Sequence, residues 1–375
     1  MRNWRARTAA IAVVSALALV TACSSENEDE GSGGSSGGTS GGDSGSPASE
    51  LSGSLAGAGA SSQDAAQQAW MAGFQDANPD VTVTYDPAGS GAGREQFIAG
   101  GVAFAGSDAY LDEEELAAAN ERCGGEVVEL PIYVSPIAVI FNLPGVESLN
   151  LSAETIAGIF NQQITTWNDD AIAADNPEVE LPDTAITPVN RADDSGTTEN
   201  FTDYLAAVAP DAWPHEASDV WPVEGGEAAQ GTSGVVQAVT SGEGTIGYAD
   251  ASQASGLGTV HVGVGDQFTE YSPEAAAAVL EVSERAEGRG EHDFAFDLAR
   301  ETTEAGTYPI VLVSYGLACA AYDDAATADL VQGYFNYILS PEGQQAAADT
   351  AGSAPLSADL SQQFQAAVDA IGSAA

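Results

Sequence analysis

Three segments of this sequence place glycine and hydroxyl side chains just ahead of a helical pattern. The first is Gly57-Ala58-Gly59-Ala60-Ser61-Ser62 and the second is Gly89-Ser90-Gly91-Ala92-Gly93. The third is Arg191-Ala192-Asp193-Asp194-Ser195-Gly196-Thr197. The first turn of a helix holds backbone N–H groups that have no acceptor within the helix, and the dipole is positive there. Glycine lets a ligand approach the backbone, and serine or threonine adds a hydroxyl donor. One such loop is an ordinary cap. Three in one chain, one of them carrying an arginine, read as an oxyanion site. The planar fork of Arg191 suits two oxygens of a tetrahedral anion. Its plain alternative is a surface ion pair in an acidic chain; its place in a Ser-Gly-Thr loop favours the ligand role.

Asp108 is the odd member. It closes Val102-Ala103-Phe104-Ala105-Gly106-Ser107-Asp108, a short strand pattern. A carboxylate among anion-binding loops repels the ligand unless it accepts a proton from it. Hydrogen phosphate carries such a proton near neutrality, and sulfate does not. The other reading is a cap for the helix expected over Glu113–Ala119, and the spacing leaves both open.

The elements around these loops alternate. Ala66, Trp70 and Phe74 stand four residues apart and predict a helix after the first loop, with Ser61 or Ser62 as its N-cap and Asp64 in its first turn. Val81–Tyr85 alternates as a strand and leads into the second loop, with a helix expected from near Arg94. Thr187-Pro188-Val189-Asn190 leads into the third, and Phe201, Leu205 and Val208 mark one face of the helix beyond it.

The amino terminus indicates the compartment. Arg2, Arg5 and Arg7 precede an apolar run from Thr8 to Val20, too short to span a bilayer comfortably. Val20-Thr21-Ala22-Cys23 looks like a bacterial lipobox, so residues 1–22 are expected to be a signal peptide cut before a lipidated Cys23. Residues 23–50 are rich in Ser, Gly, Asp and Glu and predict a flexible tether. The expected place is extracytoplasmic, on the outer face of the cell membrane. No later segment of the sequence is long and apolar enough to be transmembrane.

The remaining chain is long enough for two ordinary domains. Lysine is absent, and of 9 basic residues three fall in the signal, so six arginines face 56 acids. That balance argues against nucleic acid as a partner. It predicts a solvated acidic surface, and an anion site must then work through local donors. Cys123 and Cys319 are left after Cys23 and, in an oxidising compartment, are expected to pair. His215, His261 and His292 have no second ligand at helical spacing, so neither a metal nor another cofactor is expected. Asp194-Ser195-Gly196-Thr197 mimics an aspartic-protease tetrad. The only other Asp-Ser-Gly, at Asp43, lies in the spacer, and Gly-x-Ser-x-Gly occurs only within that same spacer, where no strand-to-helix elbow is expected. An enzyme is therefore not expected. A receptor for another oxyanion and a purely structural lipoprotein remain as competing readings.

From about Gly57 to the carboxyl terminus the sequence resembles PstS, the phosphate-binding lipoproteins of high-affinity ABC phosphate importers. The resemblance rests on the three loops, on Gly106-Ser107-Asp108, on Ile164-Thr165-Thr166-Trp167-Asn168-Asp169 and on Gly244-Thr245-Ile246-Gly247-Tyr248, in this order and spacing. It implies a two-lobed α/β, type II periplasmic-binding-protein fold with inorganic phosphate in the interlobe cleft. Residues 51–141 with 310–375 would form one lobe and 142–309 the other, with Val134–Phe141 and Ile310–Val313 carrying the crossovers. Both cysteines would then lie in the first lobe. It also implies a monomer that works with the permease and ATPase subunits of an importer. The family's ligands map to a hydroxyl at Ser61, an N–H at Ser62, hydroxyl and amide at Ser90, and the proton acceptor at Asp108. They continue with Arg191, the orienting acid Asp193, and the donors of Ser195, Gly196 and Thr197. The chain departs from the family at Ser62-Gln63, where Phe-Pro is common and would form an apolar wall. It also departs at Asn190 and Asp194, where relatives can carry Arg and Gly. For Trp167 and Tyr248 packing is the expected role.

Overall fold

The computed structural model describes residues 51–374; the signal, Cys23 and the whole spacer lie outside the described residues. The first lobe starts as a β-α-β unit. Strands β1 (Gly53–Gly59) and β2 (Val81–Asp86) pair in parallel, joined by α1 (Asp64–Ala77). Ala66, Trp70 and Phe74 of α1 are buried, as the four-residue spacing requires. After α2 (Ser90–Ile98), β3 (Phe104–Ser107) joins the other side of β1. Helix α3 (Glu113–Arg122) follows.

The next strand, β4 (Val127–Phe141), is 15 residues long and buried throughout. Its near-continuous apolar run suits a strand covered on both faces. Residues 127–136 pair antiparallel with β13, and residues 137–141 pair with β8. One strand thus belongs to two halves of the sheet. Beyond it come β5 (Ser148–Leu151), α4 (Ala153–Phe160), α5 (Asp170–Asp175), β6 (Thr187–Arg191) and α6 (Gly196–Val208). Then follow β7 (Glu227–Ala229), α7 (Gly231–Ser241), β8 (Thr245–Asp250), β9 (Gly258–Val264), β10 (Gln267–Thr269) and α8 (Pro273–Glu281). A small antiparallel pair, β11 (Glu284–Arg285) and β12 (Phe296–Asp297), precedes β13 (Val311–Cys319), which returns antiparallel to β4. Helices α9 (Ala325–Leu339), α10 (Pro341–Ala351) and α11 (Ala358–Asp369) complete the chain.

The sheet runs β2-β1-β3-β13-β4-β8-β6-β7, with β9 branching from the end of β4. This is a two-lobed α/β architecture, and the carboxyl ends of β1, β3 and β6 face the cleft with their loops, where α/β sheets place ligands. Among the described residues no helix is long and apolar enough to cross a membrane. Cys123 and Cys319 form a disulfide.

Several local readings change. Ser61 and Ser62 cap nothing: they form a short 3-10 turn with Gln63, and α1 has no side-chain cap. The second helix starts at Ser90, not near Arg94, with Gly89 as its N-cap at φ 111°. The capping box of α3 is made by Asp112 with Glu115, so Asp108 is not the cap of that helix. Val208 is half-buried, whereas Phe201 and Leu205 are fully buried. Strand β4 begins at Val127 rather than Val134, and β13 runs on to Cys319 rather than ending at Val313.

Candidate functional site

The three loops meet. Gly89 and Gly196 permit this approach. A Cβ on Gly89 would stand 2.7 Å from Oδ2 of Asp193, and one on Gly196 would stand 2.7 Å from Cβ of Asp108. Gly91 N donates to the Asp194 carbonyl at 3.3 Å, joining the second loop to the third.

Asp108 lies at the centre and is 3% exposed. Its Oδ1 accepts from the hydroxyls of Ser62 and Ser314, each at 2.6 Å, and its Oδ2 accepts from Thr197 Oγ1 at 2.9 Å. Its backbone N–H donates to Ser90 Oγ at 3.1 Å, and its carbonyl accepts from Asn200 Nδ2 at 2.7 Å. No guanidinium pairs with it among the described residues. A buried carboxylate must have its charge satisfied, and here hydroxyl donors do it.

Arg191 is buried, and its fork is half occupied. Nε donates to Asp193 Oδ1 at 2.8 Å and Nη2 donates to Asp193 Oδ2. Asp193 Oδ1 also accepts from Gly231 N at 3.0 Å. Burial pushes the Asp193 carboxyl up, but the bonds and charge of Arg191, with the Gly231 N–H, outweigh it and hold the group below the usual range. Asp193 therefore stays ionised and fixes the plane of the guanidinium. Nη1 has no protein hydrogen bond among the described residues.

The third loop contributes a helix terminus. Ser195 caps α6, its Oγ accepting from Thr198 N at 3.3 Å. Its own N–H is taken by the Asp219 carbonyl at 3.0 Å, so of the donors expected at Ser195 only the hydroxyl remains free. The N–H groups of Gly196 and Thr197 lie in the first turn, where no intrahelical acceptor exists. Ser61 Oγ meets Thr232 Oγ1 at 3.0 Å and accepts from Thr232 N at 3.1 Å. Hydrogen bonds and close approaches thus join the loops that carry all nine expected residues, although the hydroxyls of Ser61, Ser62, Ser90 and Thr197 are engaged with protein partners.

Sequence reasoning missed Ser314, Thr232, Asn200, Arg94, Asp219 and Arg300. Arg94 donates to Glu115 at 2.7 Å, to Ser107 Oγ at 3.2 Å and to Asp219 at 3.1 Å. Arg300 is buried and binds Asp203 at 2.9 Å, the Asn200 amide oxygen, and the carbonyls of Pro309 and Val311. It ties α6 to the returning chain. Thr232 had a signal: Gly231-Thr232-Ser233-Gly234 opens α7 and repeats the composition of the three loops. The others carry no local pattern.

The departures find places. Ser62 and Gln63 are fully buried, and their polar groups bond to Asp108 and Ser314. The Asp194 side chain is exposed to solvent. Asn190 is buried and donates to the Arg191 carbonyl at 2.8 Å. Trp167 is a packing residue that donates to the Gly244 carbonyl at 3.1 Å. Tyr248 does more: it stacks on Phe201, pairs with Thr198 Oγ1 at 2.7 Å and accepts from Arg191 N at 3.3 Å, so it braces the third loop. A cavity of about 300 Å³ adjoins Asp108 between Tyr110, Glu199, Phe296 and Tyr315, but the loop donors do not line it. No group of three metal-ligating side chains occurs among the described residues.

Neutral donors, one guanidinium and one buried acceptor make up a set of groups that could hold a small oxyanion carrying a proton. The profile of the PBP superfamily domain matches residues 44–342. Phosphate-binding protein PstS2 of Mycobacterium bovis is 34% identical over 320 residues, covering 83% of this chain and 85% of that relative. This chain belongs to the PstS family of phosphate-binding proteins. PstS of Xylella fastidiosa is a further relative, 29% identical over 303 residues, which cover 79% of this chain and 80% of that protein. Among solved structures, the fold resembles a high-affinity periplasmic phosphate-binding protein (PfluDING) bound with phosphate. The TM-score is 0.70 at 23% identity, covering 84% of this chain and 93% of that one. A phosphate-binding protein from Stenotrophomonas maltophilia gives a TM-score of 0.64 at 20% identity, over 84% of this chain and 93% of that one. PstS is a family of binding proteins, and the site has the character of a receptor rather than of an enzyme.

Proposed function

We propose that this chain captures inorganic phosphate between its two lobes and delivers it to the permease and ATPase subunits of an ABC phosphate importer. The observation that carries this reading is Asp108, a buried acceptor surrounded by the donors of three anion-binding loops. Ser61, Ser62, Ser90, Arg191, Ser195, Gly196 and Thr197 supply hydroxyls, amides and the fork; Asp193 orients the arginine. Asp108 takes the proton of hydrogen phosphate, and sulfate has none to give. The names of the relatives support the same ligand. The change of partner along β4 supports a division into 51–141 with 310–375, and 142–309. Contacts such as Thr197 to Asp108 and Arg94 to Asp219 then cross the cleft, so ligand favours the closed arrangement. The protein acts as a monomer, held at the outer face of the membrane by lipid on Cys23; the lipobox and the spacer support this.

Calorimetric titration of the mature protein with phosphate, sulfate and molybdate at one pH tests the reading. Saturable phosphate binding with sulfate and molybdate excluded is expected. Binding of sulfate as tightly as phosphate would overturn it.

A further inference from the structure

We propose that Gln63 and Ser314 form a selectivity device, a hydrogen-bond relay of fixed direction that makes Asp108 an obligate proton acceptor before any ligand arrives. The proposal rests on the phosphate-receptor reading and goes beyond it by naming what sets the state of Asp108.

The relay runs through a fully buried interior. Tyr334 Oη donates to Gln67 Oε1 at 2.8 Å, and Gln67 Nε2 donates to Gln63 Oε1 at 2.8 Å. Gln63 Nε2 donates to Ser314 Oγ at 2.6 Å, and Ser314 Oγ donates to Asp108 Oδ1 at 2.6 Å. Gln63, Ser314 and Tyr334 are 0% exposed and Gln67 is 1% exposed, so water does not compete with these bonds.

The direction follows from a second contact. Gln63 Nε2 also lies 3.2 Å from the Tyr315 carbonyl, which can only accept. The amide nitrogen must therefore face Ser314 and Tyr315, and the amide oxygen must face Gln67. An amide N–H can only donate, so Ser314 receives it on oxygen and keeps its single proton for another acceptor. Asp108 Oδ1 is the acceptor within reach. With Ser62 donating to the same atom at 2.6 Å, both lone pairs of Oδ1 are filled. A proton on Oδ1 would collide with two donors. Oδ2 accepts from Thr197 alone, which leaves one of its lone pairs for the proton of a ligand.

Two features make this a device rather than incidental packing. Every relay member lies in the segments 51–141 and 310–375, so the acceptor state is set within one of the two proposed lobes. Strand β13 shifts register against β4 between Ser314 and Tyr315, the kind of irregularity that re-aims a side chain.

The test compares phosphate and sulfate titrations of the wild type with those of Ser314→Ala and Gln63→Glu at one pH, with thermal melts as a check on folding. Ser314→Ala removes one donor from Oδ1. Gln63→Glu puts an acceptor where the Nε2 donor stood, so the Ser314 proton turns away from Asp108. Each variant is expected to bind sulfate more tightly in absolute terms and to lower the phosphate-to-sulfate ratio by about tenfold or more, the scale of one hydrogen bond to a charged group. A merely structural role would weaken both ligands together. Ser314→Ala deletes a single oxygen and carries the test alone if Gln63→Glu does not fold. A folded Ser314→Ala with the wild-type ratio overturns the relay and leaves the receptor reading standing. A wild type that binds neither anion overturns the receptor reading and the relay with it.

Discussion

Replacing Asp108 by asparagine should convert a phosphate receptor into one that admits sulfate. The structure indicates how the amide would sit. Two hydroxyls, Ser62 and Ser314, donate to Oδ1, so the amide oxygen takes that place. The amide nitrogen then occupies the position of Oδ2 and faces Thr197 and the ligand. The Thr197 hydroxyl need only rotate from donor to acceptor. All three contacts survive in number, and removal of a buried charge offsets the loss of charge-assisted strength, so stability should change little. The ligand feels a larger change. Phosphate loses one bond to an ionised acceptor, worth about 1.5–3 kcal/mol, or roughly 10- to 150-fold in affinity. Sulfate loses a repulsion. Two unit charges about 4 Å apart at an effective dielectric near 20 interact by about 4 kcal/mol, close to a thousandfold. The two effects together should lower the phosphate-to-sulfate ratio by about 10⁴–10⁵, a range typical of sites built around one specific hydrogen bond. Competition calorimetry at pH 7.5 measures both constants. A variant that still binds phosphate and excludes sulfate as strongly as the wild type would show that selection does not reside in Asp108.

Arg191→Ala should weaken phosphate binding by about 2–5 kcal/mol in the same titration, and Arg191→Lys should also lose affinity, because one ammonium cannot replace a fork braced by Asp193; wild-type binding by either would make Arg191 a bystander. Arg94→Gln should raise the phosphate Kd about five- to thirtyfold without touching ligand, since it breaks the bond to Asp219 across the cleft. Small-angle scattering should then show less compaction at a given phosphate concentration than in the wild type. Burial first, then the neighbouring acids Asp219, Glu115 and Asp203 against the partial relief of Arg94, pushes Glu199 up to about 7. The folded state therefore holds that proton more tightly than the unfolded chain. Stability from this group is fully present below the unfolded value near 4.3 and declines as pH rises to about 7. Glu199→Gln should accordingly raise stability by about 1–3 kcal/mol at pH 8 and by little at pH 4.5 in denaturant melts; an equal gain at both pH values would contradict the assignment. Unreduced mature protein should show no free thiol at Cys123 or Cys319 by mass spectrometry. Reduction should cost about 5 kcal/mol in the chain-entropy model, because the bond closes a long loop.

The sequence alone determined those features whose causes are local. A glycine-hydroxyl run before a 3.6-residue apolar period can be read in a short window, because helix starts and anion-binding amides are properties of one turn. The three loops, Arg191 within the third and the buried face of Trp70 and Phe74 were legible for that reason, whereas the pairing of Cys123 with Cys319 followed from the cysteine count and the expected compartment. The same local logic misplaced Ser61 and Ser62 as caps. A hydroxyl ahead of a helix caps it only if the backbone does not first tighten into a 3-10 turn that turns the side chain elsewhere.

Only the tertiary structure decided which groups surround Asp108. Asp108 and the helix beginning at Glu113 are near neighbours in sequence, and spacing could not separate a cap from a proton acceptor. The capping box of Asp112 and the three hydroxyls on Asp108 settle its partners. Ser314 reaches Asp108 from a strand on the far side of the chain, and Gln63 reaches Ser314 across a separation of 251 residues. Arg94 finds Asp219 at a separation of 125. Such contacts depend on which strands of the sheet lie side by side, and β13 sits between β3 and β4 only because the chain crosses twice through the β4–β13 pair. No window of sequence holds that information, since it is the sheet order that brings a serine near the carboxyl terminus against an aspartate near the amino terminus.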